Sequence, residues 1–148
     1  MKTSRNLALA AIAVFVSSYF LPAYNDESGF ACFRECWEIL LGNSKILSVS
    51  WFYYGGFVIS NILFIGLVAS LFVTQEHRKL SSVVSVIVFL HVLSWFLVFI
   101  ISGKPSQVAD LKIGYYVWLV AYALLVAANL WGKSAESLRP TPLAGSVV

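Results

Sequence analysis

Charged side chains are scarce in this chain, and their scarcity excludes a water-soluble fold. Asp, Glu, Lys and Arg supply 11% of the 148 residues and hydrophobic residues supply 59%, whereas about a quarter of a typical soluble domain is charged. The mean hydropathy, +0.83, is correspondingly high. We therefore expect an integral membrane protein whose main partner is the lipid bilayer.

Several sequence motifs are also missing, and each absence removes a class of function. The chain has no basic run, no zinc-ligand spacing, no glycine-rich phosphate loop and no G-x-S-x-G nucleophile elbow. Its formal charge of +3 comes from basic residues beside the ends of apolar runs, where they suit lipid headgroups better than nucleic acid. We expect no nucleic-acid partner, no metal, no cofactor and no catalytic residues.

Two apolar runs at about residues 51–73 and 81–102 predict a transmembrane helical hairpin. Neither run contains Asp, Glu, Lys or Arg, and roughly 20 helical residues cross a hydrocarbon core of about 30 Å. The polar segment at 74–79 between them is too short to hold a domain. It therefore places both adjoining helix ends on the same side of the bilayer.

Two further runs at about residues 7–22 and 114–131 complete the predicted fold. That fold is an all-α four-helix transmembrane bundle with up-down topology, formed by one domain over residues 1–132. The tail at 133–148 lacks an apolar period, so it is expected to be poorly ordered.

The first run has an alternative interpretation as a cleaved secretory signal peptide. Lys2 and Arg5 precede it, as a charged region precedes the apolar part of a signal. However, no clean A-x-A cleavage site lies ahead of Asp26, and the bulky residues Tyr19 and Phe20 lie near the end of the run. An uncleaved first transmembrane helix is therefore the favoured interpretation.

The segment at 23–50 contains both cysteines and is predicted to form a short amphipathic helix. Its apolar residues fall at helical spacing, at Phe33, Trp37, Leu40 and Leu41. Polar side chains lie elsewhere on the helical wheel: Arg34, Glu35 and Glu38. Gly42 and Asn43 then supply a stop signal. A helix lying in the membrane interface fits this pattern, and a loop packed on the bundle is the alternative.

The distribution of Lys and Arg predicts the orientation of the chain. Two of these residues precede the first helix, two lie in the 74–79 segment and two lie in the tail, whereas the opposite side has four. Because basic residues are enriched in cytoplasmic loops, both termini are predicted to be cytoplasmic, with the cysteine segment outside.

Four short motifs, made mostly of aromatic or apolar residues, occur along the chain. They are Ser-Tyr-Phe-Leu-Pro-Ala-Tyr at 18–24, Gly-Phe-x-Cys at 29–32, Ser-Asn-Ile-Leu at 60–63 and Gly-Tyr-Tyr-Val-Trp-Leu at 114–119. Together they resemble a loose group of small four-helix bacterial membrane proteins of unassigned function, over about residues 18–129. The resemblance implies a multi-pass protein of the bacterial inner membrane, and it implies no catalytic residues.

Cys32 and Cys36 form the candidate disulfide pair. An i,i+4 separation on a helix brings their Cα atoms to roughly 6 Å, within reach of a disulfide, and the external side is oxidising. A structural disulfide or two buried thiols are favoured. The alternative is a thiol oxidoreductase resembling the quinone-linked disulfide-forming proteins. Those proteins use C-x-x-C and a second cysteine pair, whereas this chain has only one C-x-x-x-C.

Asn61 and His91 are the most polar residues in the predicted membrane interior. Each lies roughly ten residues from an end of its helix, near the bilayer midplane, so the two are predicted to form a pair. An unpaired polar group in hydrocarbon costs several kcal/mol, which favours a structural hydrogen bond. Proton or substrate handling and haem or metal ligation by His91 are the alternatives. His77 is interpreted as a solvated loop residue.

Two further sets of residues are assigned to helix packing and to the membrane interface. Small side chains that allow close helix approach occur at Gly56, Ser60, Gly66 and Ser70. Aromatic side chains cluster at the predicted outer helix ends: Trp51, Tyr53, Tyr54, Tyr115, Tyr116 and Trp118. An interface belt is the favoured interpretation of these rings, and a site for a lipid or quinone headgroup is the more specific one.

The function favoured by the sequence is a non-enzymatic accessory or scaffold subunit that binds other membrane proteins or itself. Small size and small-residue helix faces motivate this hypothesis. A small transporter or channel component using the His91 region is one alternative, and a thiol-disulfide oxidoreductase using Cys32 and Cys36 is another. A cavity reaching His91 would favour the transporter, and cysteines beside a quinone-sized pocket would favour the enzyme. An unfilled groove along the small-residue face would favour the binder.

Overall fold

The computed structural model describes residues 2–42, 49–73, 78–101 and 108–137. This part of the chain folds into five helices and one two-stranded antiparallel sheet. The helices are α1 (Lys2–Ser18), α2 (Gly29–Gly42), α3 (Val49–Val73), α4 (Arg78–Ile101) and α5 (Ile113–Ser137). The strands are β1 (Pro22–Tyr24) and β2 (Glu27–Ser28). The helical class predicted from the apolar runs is confirmed.

Three of the helices are long and apolar enough to cross a membrane. Their spans are Tyr53–Phe72 in α3, Lys79–Val98 in α4 and Ile113–Trp131 in α5. These are three of the four predicted transmembrane segments. The apolar stretch of α1, Thr3–Ser18, is shorter. The connections at 74–77 and 102–107 lie outside the described residues, as does His77.

The first helix ends at Ser18, so its predicted end near residue 22 is wrong. Pro22 lacks an N–H and disfavours helical geometry in the residue before it, and here it begins β1. The two strands are joined through Asn25 and Asp26, whose φ angles are 46° and 64°. This left-handed geometry suits a tight hairpin turn, and Asn and Asp tolerate it better than most residues.

The hairpin of β1 and β2 is attached to the segment that leads into α5. Asn25 donates a backbone hydrogen bond to the carbonyl of Asp110 at 3.0 Å, and Lys112 donates one to the carbonyl of Ala23 at 2.9 Å. Gly114 makes a close approach possible, because an added Cβ would lie 2.6 Å from the carbonyl oxygen of Pro22. The hairpin therefore ties the end of α1 to the beginning of α5.

The core is centred on the contact between α1 and α5. Four alanines, which allow close helix approach, are fully buried there: Ala8, Ala11, Ala121 and Ala128. Towards the other end of α1, the ring of Phe15 stacks on that of Phe64 with centroids 4.1 Å apart. The last helix continues to Ser137, beyond its predicted end near Trp131. Residues 138–148 of the predicted tail lie outside the described part.

The amphipathic helix predicted within 23–50 is present as α2, described from Gly29 to Gly42. Asn43 of the predicted stop signal lies outside the described residues. One side of α2 packs on the end of α1, where the rings of Phe33 and Tyr19 have centroids 5.9 Å apart. Leu41 is 71% exposed and Trp37 is 41% exposed. Exposed apolar side chains on a helix with a charged face fit a position at the membrane surface.

Candidate functional site

A cavity of about 490 Å³ lies where α2 covers the ends of α3, α4 and α5. It sits at one end of all three membrane-capable spans, since it is lined by Tyr53 of α3, Val98 of α4 and Gly114 of α5. Ligand sites for small molecules usually measure about 300 to 1,000 Å³. The cavity is therefore large enough for a compact organic molecule or for the polar end of a lipid.

Eight of the 17 described residues that line the cavity are aromatic, and Trp95 of α4 lies at the centre of one cluster of them. Its ring meets Tyr53, Tyr54 and Phe57 of α3 edge to face, with centroid separations of 4.8, 6.2 and 6.0 Å. The ring of Phe57 also lies 4.8 Å from that of Trp118. Edge-to-face contacts are favourable because a ring's positive edge meets the negative face of its neighbour. The rings therefore hold each other in a defined wall.

Asn61 positions one part of that wall. Its side-chain oxygen accepts a hydrogen bond of 3.0 Å from the indole N–H of Trp118, and its amide nitrogen donates to the carbonyl of Phe57 at 2.8 Å. Asn61 and Trp118 are both buried. The amide of Asn61 thus links α3 to α5 and orients an aromatic residue of the cavity.

The structure therefore does not contain the predicted pair of Asn61 and His91. Equal depth in the membrane suggested the pair, but helical phase separates the two side chains. At about 100° per residue, position 61 points roughly 140° away from position 56, and His91 packs against Gly56. The imidazole Nε2 is buried and has no hydrogen-bond partner within the described part of the chain.

Cys32 and Cys36 both line the cavity from α2, and both are free thiols. Burial raises the pKa of the Cys36 thiol to about 12, with smaller contributions from Cys32 and Glu35. Burial and the charge of Glu35 likewise raise the pKa of Cys32. Since the thiolate is the reactive form, both thiols are weak nucleophiles at neutral pH. Their oxidation to a disulfide remains a prediction.

The aromatic residues assigned to the interface divide into two groups. Tyr53, Tyr54, Tyr115 and Trp118 line the cavity. Tyr115 is buried, and its hydroxyl donates a hydrogen bond of 3.0 Å to the carbonyl of Val92. The other two, Trp51 and Tyr116, are not among the residues that line it.

The small residues predicted to pack helices serve contacts within the chain at two positions. An added Cβ at Gly56 would lie 2.7 Å from Cε1 of His91, and the hydroxyl oxygens of Ser70 and Ser81 are 3.0 Å apart. Ser60 is buried. At Gly66 an added Cβ would have no atom within 4 Å. The helix α4 thus packs against α3 at Gly56 and Ser70.

Sequence reasoning missed Trp95 and Glu35 as cavity residues. Trp95 belongs to a run that is apolar all round, so nothing in its pattern separates a cavity from the lipid face. Glu35 could have been found, because Cys32, Glu35 and Cys36 are spaced i, i+3 and i+4 and share one face of a helix.

Comparison with known proteins gives no relative from which a role could be taken. No protein-family model matches the chain, no curated protein matches its sequence, and no solved structure matches its fold.

Proposed function

We propose that this chain is a non-enzymatic integral membrane protein that binds the polar end of an amphiphilic molecule in the cavity beneath α2. The observation that carries the proposal is the position of an aromatic cavity at one common end of three membrane-capable helices. A lipid or quinone could place its headgroup there and leave its tail in the bilayer. Aromatic walls with few polar groups are typical of small-molecule sites.

The proposed membrane arrangement is a four-helix up-down bundle in the bacterial inner membrane, with α1 as the fourth span and both termini cytoplasmic. The 17 residues of α1 measure about 26 Å at about 1.5 Å per residue. Ser4 near the start of α1 bonds the carbonyl of Ala128 late in α5 at 2.8 Å, which supports antiparallel neighbours. The cavity then opens on the external side. Reporter fusions after Gly42 and after Ser137 should read external and cytoplasmic, respectively.

A thiol-disulfide oxidoreductase is the second candidate, because both cysteines line the cavity. The raised pKa values of the two thiols favour the binding protein over this enzyme, since redox catalysis needs a thiolate. Replacing Cys32 and Cys36 together by Ser distinguishes the two functions. A binding protein should keep its ligand affinity in this variant, whereas a thiol enzyme should lose its thiol-disulfide exchange activity.

The accessory role expected from the sequence stays a prediction. That prediction depended on an open face of small residues on α3, and α4 packs against this face at Gly56 and Ser70. The transporter hypothesis drew on a cavity at His91, and His91 is not among the residues that line this one.

A cavity-filling variant tests the proposal. In Val98→Phe the larger ring should occupy the cavity, whereas Leu97→Phe adds the same ring at a neighbouring exposed position that is not among the lining residues. The assay is the thermal unfolding midpoint of the purified full-length protein with decylubiquinone or a decyl-chain amphiphile. A ligand at about 100 times its Kd stabilises by about 2.7 kcal/mol.

The wild type and Leu97→Phe should be stabilised by the ligand, and Val98→Phe should not. Equal stabilisation of all three proteins would place the amphiphile outside the cavity and refute the proposal. The absence of stabilisation by any of these amphiphiles would also refute it.

A further inference from the structure

The described residues that line the cavity carry charge of one sign. Glu35 is the only charged side chain among the described residues that line it, and it makes no ion pair within the described chain. Two basic residues of the described chain pair with other acids. Arg34 lies 3.6 Å from Glu38, and Lys112 lies 3.8 Å from Asp26. The exposed Glu35 side chain therefore has no cationic partner among the described residues.

The negative field of Glu35 extends along the cavity face of α2. It raises the pKa of Cys32, second only to burial, and it also contributes to the raised pKa of Cys36. An anionic headgroup would meet this field with no basic side chain among the described lining residues to offset it. The described lining residues therefore disfavour an anion.

The aromatic walls suit the opposite charge. Tyr53, Tyr54, Phe57 and Trp95 all line the cavity, and the first three pack edge to face with Trp95 at centroid separations of 4.8 to 6.2 Å, so a ligand would meet this ring cluster from the cavity side. The face of an aromatic ring is negative and attracts a cation within about 6 Å of its centre. Aromatic rings, Trp above all, recognise quaternary ammonium groups in this way.

We infer that the polar end of the ligand is an organic cation, held between these aromatic rings and the Glu35 carboxylate. The inference rests on the proposed function, because it assigns the chemistry of a molecule in the same cavity. A quaternary ammonium group is the simplest such cation. It has no N–H to donate, so its recognition depends on charge and ring faces alone.

Two isosteric compounds test the inference directly. Benzyltrimethylammonium and neopentylbenzene have the same shape and differ in one positive charge. Binding to the full-length protein in dodecyl maltoside micelles is measured by quenching of tryptophan fluorescence, with benzyl sulfonate as an anionic comparison. The cation is expected to bind at least tenfold more tightly than its neutral isostere, and the anion is expected to bind most weakly.

Matched substitutions assign the preference to the residues named. Glu35→Gln should weaken binding of the cation three- to tenfold and leave the neutral compound unchanged. Glu38→Gln removes an equal charge from the same helix at a residue that pairs with Arg34, and it should have no effect. Tyr53→Phe keeps the ring and should retain the preference, whereas Tyr53→Leu should reduce it.

The outcomes separate this inference from the proposed function. If Val98→Phe blocks the compounds but cation and isostere bind equally, the cation inference is refuted and the binding function stands. If Val98→Phe blocks none of them, both fail. Equal losses in Glu35→Gln and Glu38→Gln would show only a general surface charge effect and would overturn the assignment to Glu35.

Discussion

Replacing Gly56 by Ala is expected to disturb the contact between α3 and α4. The added Cβ would lie 2.7 Å from Cε1 of His91 and 3.5 Å from Cδ2, and nearer still to Nε2. Carbon atoms in good contact are about 3.5 to 4.0 Å apart. The imidazole or the helix that carries it must therefore retreat by roughly 1 Å.

The expected loss follows from two opposing effects. Overpacking a well-packed contact costs about 1 to 3 kcal/mol. Ala gains up to about 1 kcal/mol over Gly in helix propensity. The imidazole has limited room to move because the ring of Tyr53 is its neighbour, with centroids 6.5 Å apart. We expect Gly56→Ala to lower the free energy of unfolding by about 1 to 2 kcal/mol.

Unfolding by sodium dodecyl sulfate in mixed micelles, followed by circular dichroism, measures this loss. Gly66→Ala is the matched control on the same helix, because its Cβ would have no atom within 4 Å. It should leave stability unchanged or slightly raised. His91→Ala in the Gly56→Ala background should recover at least half of the loss, because it removes the atoms that the Cβ meets. A Gly56→Ala protein as stable as the wild type, or an equal loss in Gly66→Ala, would refute the packing described.

Two further predictions concern the cavity wall and its thiols. Asn61→Leu and Trp118→Phe should be coupled in a double-mutant cycle by about 0.6 kcal/mol, the average for membrane hydrogen bonds, and strictly additive effects would contradict the bond between them. Cys36 should react with maleimide more slowly than Cys32 in the folded protein, since its pKa is about 12. Because only the thiolate reacts, its rate should rise about tenfold per pH unit between pH 7 and 9, and a rate independent of pH would contradict the protonated state.

Local signals in the sequence were sufficient to predict several of the helices. The charge-free runs predicted α3, α4 and α5, because a helix satisfies its own backbone hydrogen bonds and needs no partner to be stable in lipid. The helical spacing of Phe33, Trp37 and Leu40 likewise predicted α2. At α1 the local signal is ambiguous. The run stays apolar to Leu21 and so predicts a helix as far as Pro22, whereas the helix ends at Ser18 and Pro22 begins a strand.

The partners of polar side chains were decided by tertiary structure. Depth in the membrane can be counted along the sequence, and it suggested that Asn61 and His91 meet. Rotation about the helix axis cannot be counted in this way when a helix is apolar all round. In the structure Asn61 turns towards Trp118 of α5, whereas His91 packs at Gly56 of α3.

The sequence by itself determined that the chain is apolar and helical and that α2 is amphipathic, because length, charge and spacing are local properties. Only the tertiary structure decided that Tyr115 and Trp118 turn inwards and that Trp95 and Glu35 line the same cavity. The physical reason is that lipid tails are as apolar as a protein core, so hydropathy does not distinguish the inner face of a membrane helix from its outer face. Close packing of neighbouring helices makes that choice, and with it the choice of what the cavity can bind.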